Sequence, residues 1–289
     1  MEQKKVWLIT GSGSGLGRSI AEAALKAGYL VVATARNTKQ LDDLSVQYGD
    51  QIFTVHLDVN NEDQAKQAVQ AALAHFGHID VLVNNAGYGD KRPFEQVPPE
   101  DFRRLIETCF FGVVTLTREV LPSMRQQRSG HIINISSIGG RIGTAGNAAY
   151  HAAKWAIGGF TESLALETAS FNVRVTALEP GGIRTNWGRR AYNGAFQLLP
   201  EYEVSVGATI KALEHYWGNE NSDPDKIAQI VLKVAEEDHL PAHILLGSDA
   251  YHFVNEADKR RRQEEEQWRE VTESADFENN ALVPEIKVG

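Results

Sequence analysis

Short apolar runs, mostly uninterrupted by charge, alternate along this chain with longer stretches of helical pattern, and few folds accept that alternation. The runs fall at residues 6–9, 30–33, 52–57, 81–83, 131–135, 173–178 and 244–246. Each suits a strand covered on both faces. Helix-like segments lie between them at 15–27, 39–48, 63–76, 100–124 and 148–168. Asn60 or Asn61, followed by Glu62 and Asp63, supplies an N-cap with an acidic first turn. Gly28 and Gly49 stand where helices should stop. Strand–helix–strand units repeated in this way cross over right-handedly and predict an α/β fold, a doubly wound parallel sheet. No Pro-, Ser- or Gly-rich linker and no internal repeat interrupts the sequence. The predicted organisation is therefore a single domain over 1–250, with a C-terminal helical extension, 251–289, packed on it.

Two segments break the alternation. Residues 186–221 carry Trp187, Tyr192, Phe196, Tyr216 and Trp217 among glycines and polar residues. An insertion this late in an α/β chain reads either as a lid over a pocket or as a surface excursion with its own aromatic cluster. In the tail, Arg260, Arg261 and Arg262 each precede a glutamate by four residues, as on an exposed helix laced with ion pairs. The glutamates cancel that basic run locally, and the formal net charge is −9, so a nucleic-acid partner is not expected. No apolar run is long enough to span a membrane, and the N-terminus leads into a strand rather than a signal-peptide core. The single cysteine, Cys109, offers neither a disulfide nor a zinc constellation, and His75 with His78 lacks a metal-binding partner pattern. The simplest reading is a cytoplasmic enzyme with no metal and no membrane partner.

The first strand, Val6-Trp7-Leu8-Ile9-Thr10, runs into Gly11-Ser12-Gly13-Ser14-Gly15-Leu16-Gly17 and then directly into a helix. Missing Cβ atoms let backbone approach a pyrophosphate, and free N–H groups with the helix dipole favour its charge. The spacing is G-x-x-x-G-x-G, and by itself it also suits a mere tight turn. The second strand selects the dinucleotide. Val31-Val32-Ala33-Thr34-Ala35 reaches no carboxylate that could hold a ribose 2′-hydroxyl, and Arg36 follows. A guanidinium there can clamp a 2′-phosphate, so NADP(H) is expected over NAD(H).

Tyr150 and Lys154 lie one turn apart on one face of the helix predicted at 148–168. A neighbouring ammonium stabilises a phenolate, so Lys154 is expected to draw the Tyr150 pKa down toward working pH. Tyr150 could then serve as general acid for ketone reduction or general base for alcohol oxidation. The strand at 131–135 ends at Ser136-Ser137, where a hydroxyl can hold the same carbonyl oxygen. Strand C-termini line the cofactor crevice of a parallel sheet, so the three groups should meet at one edge.

These motifs stand in an order that resembles the classical short-chain dehydrogenases/reductases over nearly all of residues 4–250. The family's T-G-x-x-x-G-x-G matches Thr10 to Gly17, its N-N-A-G matches Asn84-Asn85-Ala86-Gly87, and its P-G-x-x-x-T matches Pro180-Gly181-Gly182-Ile183-Arg184-Thr185. The resemblance implies a Rossmann fold whose cofactor lies against Gly11, Ser12, Ser14, Gly15, Leu16, Gly17, Arg36, Asp58, Val59, Asn85, Ala86, Gly87, Tyr150, Lys154, Pro180, Gly181, Ile183 and Thr185. It implies Ser137, Tyr150 and Lys154 as the catalytic triad, with Lys154 also holding the nicotinamide ribose. Ala33 to Asn37 is similar to NADP-preferring members. Phe110-Phe111-Gly112-Val113-Val114 and Leu121-Pro122-Ser123-Met124-Arg125 resemble the branch of 17β-hydroxysteroid and retinol dehydrogenases.

One position departs from the family pattern. Cys109 stands where the family has an asparagine that helps hold a proton-relaying water. A thiol hydrogen-bonds weakly by comparison, which implies slowed but not abolished turnover. Tyr88, Phe94, Ile142, Thr144, Trp187, Tyr192 and Phe196 are candidate pocket walls for an apolar or aromatic ketone or its alcohol. The resemblance also implies a homodimer or homotetramer. Two readings compete with an active NADP(H)-dependent carbonyl reductase: an NAD-linked secondary-alcohol dehydrogenase, and a cofactor-binding regulatory protein weakened in catalysis.

Overall fold

The computed structural model describes residues 4–192 and 196–277. Seven parallel strands form one sheet in the order β3-β2-β1-β4-β5-β6-β7. They are β1 (Val6–Ile9), β2 (Leu30–Ala35), β3 (Ile52–His56), β4 (Val81–Asn84), β5 (Gly130–Ile135), β6 (Val173–Pro180) and β7 (His243–Leu246). From β1 the chain winds outward through β2 to β3, then returns to the other side of β1 with β4. The loops leaving β1 and β4 therefore diverge at one sheet edge, where open α/β sheets form their ligand crevice.

Period-two alternation along the strands divides the core. Trp7 and Ile9 face one layer, packed by α1 (Gly15–Lys26) and, further along the chain, α9 (Pro224–Glu236). Val6 and Leu8 face the other, covered by α3 (Glu62–Phe76) and α5 (Gly112–Gln127) with Leu164 of α6 (Ala148–Thr168). Asn61 caps α3, its side chain accepting from the Gln64 amide at 2.9 Å, and Gly77 ends that helix at φ +86°. A short 3₁₀ turn, Thr38–Leu41, precedes α2 (Asp42–Tyr48), so the predicted helix 39–48 starts in a tighter coil.

The predicted helix at 100–124 is in fact two helices. α4 (Pro99–Ile106) and α5 flank one π-helical turn, Glu107–Phe111, centred on Cys109. Such a turn adds a residue to the helical coil and usually marks a functional site. The late insertion contains α7 (Trp187–Ala191) and α8 (Ala208–Tyr216). Beyond β7, α10 begins at Ser248 and runs unbroken to Gln267, so no backbone break separates residues 250 and 251. Ala250 and Val254 bury its first turns. Of the three expected arginine–glutamate pairs on that helix, Arg260–Glu264 forms at 3.6 Å. Arg261 instead turns to Asp258, the Arg141 carbonyl and the Trp155 ring, three contacts against the one that an exposed glutamate offers. Among the described residues no helix is long and apolar enough to cross a membrane.

A buried polar ladder ties the central strands to their helices. The Asn84 amide donates to Asn134 Oδ1 (2.9 Å) and to the Thr117 hydroxyl (3.2 Å), and Asn134 donates to the Thr161 hydroxyl (2.9 Å). The β4–β5 register that pairs Asn84 with Asn134 makes this possible. Asn134→Ala leaves the buried Asn84 and Thr161 groups short of partners and should cost about 1–3 kcal/mol in urea unfolding. A variant as stable as wild type would show that the ladder is not what holds β5 to α6.

Candidate active site

The crevice is built around Thr10, the last residue before the glycine loop. Its hydroxyl accepts from the backbone N–H of Asn85 (2.9 Å) and of Ala86 (3.0 Å). The Asn85 side chain returns a bond to the Thr10 carbonyl at 2.9 Å. These bonds join the two diverging loops into one wall. Gly11 (φ +69°) and Gly15 (φ +58°) adopt the left-handed region that disfavours side chains. A Cβ on Gly17 would run into the Asn85 amide and the Gly11 carbonyl, so only glycine lets α1 start this close to the loop. The loop therefore presents bare backbone and a helix N-terminus, which fits a dinucleotide pyrophosphate. Thr185 lies near the Gly15 Cα, which brings the Pro180–Thr185 element to the same place. Arg36 is exposed just beyond β2 and forms no ion pair among the described residues.

Tyr150, Lys154 and Ser137 converge at the neighbouring edge. The Ser137 hydroxyl lies close enough to the Tyr150 phenol to favour its charged form, and is itself held by the Gly139 amide at 3.0 Å. Adjacent Ser136 is different: its buried hydroxyl lacks a protein partner among the described residues. Lys154 donates to the Ile135 carbonyl at 2.7 Å, and its Nζ lies 5.6 Å from the centre of the Tyr150 ring. Both side chains are nearly sealed, Tyr150 at 8% exposure and Lys154 at 5%.

That burial corrects one expectation from the sequence. Lys154 was expected to draw the phenol's pKa down, yet Tyr150 is pushed well above its ordinary value. Desolvation of the phenolate is the largest cause, outweighing the Ser137 hydroxyl. Burial also pushes Lys154 down. In this state the phenol keeps its proton, the form a general acid requires.

Cys109, on the π turn, is 1% exposed, and burial pushes its thiol pKa up. The thiol donates to the Tyr88 carbonyl at 3.3 Å and sits close enough to Lys154 to feel its charge. Helix α7 lies across the site from above. The Trp187 indole packs on the Tyr150 ring with centroids 5.1 Å apart, and its backbone amide donates to Thr185 Oγ1 at 3.2 Å. At the far end of α7, Arg190 donates to the Ser14 hydroxyl of the glycine loop at 3.4 Å.

The remaining predicted residues are scattered more widely. Asp58 sits after β3, its carboxylate accepting from the Asn60 amide at 3.1 Å, and Val59 packs where α5 starts at Gly112. Of the expected pocket walls, Trp187 meets Tyr150. Tyr192 stacks on Trp217 and meets Phe196 edge-on, forming an aromatic cluster within the insertion. Phe94 packs edge-on against Phe102 and is largely exposed, while Thr144 bonds His151. His75 stacks on Phe53, and His78 pairs with Asp80 at 3.1 Å, so neither is free for a metal. Among the described residues no cluster of metal ligands forms. Sequence reasoning missed Arg190, whose only signal was the Arg189-Arg190 pair in the insertion. It also missed buried Lys91, which sits between Asp90 and Arg92 in what reads as a solvated loop.

Comparison with known proteins agrees with this geometry. Residues 5–194 match the family model described as short chain dehydrogenase. The chain is 46% identical over 269 residues to Oxidoreductase BOA17 of Botryotinia fuckeliana, covering 93% of this chain and 98% of that protein. A solved short-chain dehydrogenase from Streptomyces avermitilis superposes with a TM-score of 0.87 at 38% identity, over 95% of this chain and 100% of that one. The 3-ketoacyl-(acyl-carrier-protein) reductase of Brucella melitensis, complexed with NADH, superposes with a TM-score of 0.71 at 29% identity, over 83% and 95%.

A thiol this buried, with its pKa raised, is a packing residue rather than a nucleophile. Cys109 should therefore react with a chromogenic disulfide reagent only when denaturant is added. Fast labelling of the folded protein would show that the π turn opens.

Proposed function

The chain belongs to the short-chain dehydrogenase family of oxidoreductases, which bind a nicotinamide cofactor, and we propose that it uses NADP(H) to reduce the carbonyl of an apolar or aromatic ketone. The observation that carries this reading is the convergence of three groups: the Ser137 hydroxyl acts on the Tyr150 phenol, and Lys154 Nζ lies 5.6 Å from the centre of the same ring. The bound cofactor supplies the hydride. Tyr150, kept protonated by burial, donates its proton to the carbonyl oxygen, and Ser137 orients that oxygen by hydrogen bonding. Lys154 then stabilises the phenolate across a short distance, where low dielectric strengthens the attraction. The reverse direction, oxidation of a secondary alcohol, uses the same groups in opposite protonation states.

Cofactor choice rests on the end of β2. Arg36 is an uncommitted guanidinium where a 2′-phosphate would lie, and no carboxylate follows β2 to hold a 2′-hydroxyl. Arg190 extends the same positive character over the glycine loop through Ser14. The apolar face of Trp187 beside Tyr150 favours a substrate with an apolar or aromatic body.

Two variants test the reading. Tyr150→Phe should lower kcat by about 10²–10⁴-fold while leaving the affinity for NADPH nearly intact, as expected for loss of a general acid. Turnover retained in that variant would mean another group supplies the proton. Arg36→Ala should cut the preference for NADPH over NADH, measured as kcat/KM, by about tenfold or more. A wild-type preference for NADH would overturn the cofactor assignment.

A further inference from the structure

Behind Trp187 lies a cation that the proposed reaction does not use. Lys91 follows the β4 loop and is only 8% exposed. Among the described residues no carboxylate pairs with it: Asp90 is committed to Arg92, which also holds Asp101 at 2.8 Å. Its hydrogen bond is to Asn147. With that amide oriented to satisfy both neighbours, the nitrogen donates to the Asp90 carbonyl (3.2 Å) and the oxygen accepts from Lys91 Nζ (3.1 Å). Burial alone pushes the Lys91 pKa down to about 8. The other titratable neighbour, His151 on α6, is itself held below its usual range, mainly by burial and in part by the charge on Lys91. Helix α7, bonded to this loop where the Lys91 amide donates to the Ala191 carbonyl at 3.3 Å, carries Arg189 and Arg190, and Arg190 turns away to Ser14.

Two further features make this a site rather than a packing accident. Asn147 is the N-cap position of the 21-residue helix α6 yet makes no side-chain capping bond to it, so the helix N-terminus adds positive potential beside the ammonium. The Trp187 indole also touches both the ammonium and the proposed catalytic phenol: Lys91 Nζ is 6.0 Å from its ring centre, and the Tyr150 ring centre is 5.1 Å away. A substrate that displaces the indole to reach Tyr150 uncovers Lys91 in the same movement. The space it would take is the one the indole vacates, which is that of a flat aromatic ring.

We infer that Lys91 is an anion-recognition residue of the substrate pocket, and that the preferred substrate is a flat, apolar ketone bearing a carboxylate at the end remote from its carbonyl. The inference rests on the carbonyl-reductase reading for where the carbonyl lies. The carboxylate supplies the counter-charge that the fold withholds from Lys91, and Asn147 keeps the ammonium pointed toward it. An unpaired buried cation costs stability in the free protein, a cost that binding offsets.

The test compares 4-acetylbenzoate, its methyl ester and 4-methylacetophenone as substrates with NADPH. Wild type should favour the acid over the ester by about ten- to hundredfold in kcat/KM, the range for hydrogen bonds to charged groups. Lys91→Met should bring that ratio near one, and Lys91→Arg should restore part of it. The acid preference should fade as pH rises through about 8, where Lys91 loses its proton. Titration calorimetry with 4-isopropylbenzoate, which has no carbonyl to reduce, should show a matching loss of affinity in Lys91→Met.

Stability supplies a second readout. The folded pKa lies below the ordinary 10.5, so the unfolded chain binds more protons between about 8 and 10.5. The penalty is complete below about pH 8 and is relieved across that window. Lys91→Met should therefore raise the thermal midpoint most below pH 8, whereas a purely structural lysine would lower it. Reduction of 4-methylacetophenone without preference for the acid would overturn this inference and leave the reductase reading standing. Lys91-dependent binding of 4-isopropylbenzoate, with none of the three ketones reduced, would do the reverse. Equal affinity of wild type and Lys91→Met for 4-isopropylbenzoate, or a lowered midpoint, would also overturn it.

Discussion

The parting of β1 and β4 is the constraint on which the site depends. Two adjacent parallel strands whose following loops turn away from each other must leave a cleft, and unpaired backbone there would be costly if nothing answered it. Thr10 answers it with one hydroxyl that accepts two backbone N–H groups from the opposite loop. Asn85 closes the remaining gap from the other side. The glycine loop is thus fixed before any ligand arrives, and its open N–H groups are held in place by the sheet itself.

Burial then decides the chemistry at the neighbouring edge. Tyr150 and Lys154 are each placed where their charged forms are penalised, so the phenol keeps its proton and the ammonium holds its own less tightly. Under the proposed reaction the proton leaves the tyrosine for an acceptor oxygen, with the Ser137 hydroxyl beside the phenol. The same low dielectric makes Lys91, a few residues beyond the β4 loop, a stored imbalance of charge. Helix α7 links these places, with Trp187 over the phenol at one end and Arg190 on the glycine loop at the other.

Much of this was legible from residue order. The strands were readable because buried parallel strands are written as apolar runs, and predicted and observed limits differ by at most two residues. Thr10 to Gly17, Asn84 to Gly87 and Tyr150 with Lys154 were readable because each needs particular residue types at fixed spacing. The π turn at Cys109 was not, because a one-residue bulge leaves the apolar periodicity of 100–124 nearly unchanged. The raised Tyr150 pKa is hidden for a related reason: the spacing to Lys154 is visible in sequence, but the depth of burial that pushes the phenol up is not.

The sequence by itself determined the alternation of strands and helices, the bare backbone of the glycine loop and the one-turn spacing of phenol and amine, since these follow from local sterics and short-range periodicity. Only the tertiary structure decided which aromatic of the insertion covers the phenol, which arginine reaches Ser14, and that a lysine in a run of charged residues is sealed away with no carboxylate partner among the described residues. Those outcomes depend on where segments distant in the chain come to rest against one another, and solvent exclusion, unlike spacing, belongs to the assembled fold rather than to any stretch of it.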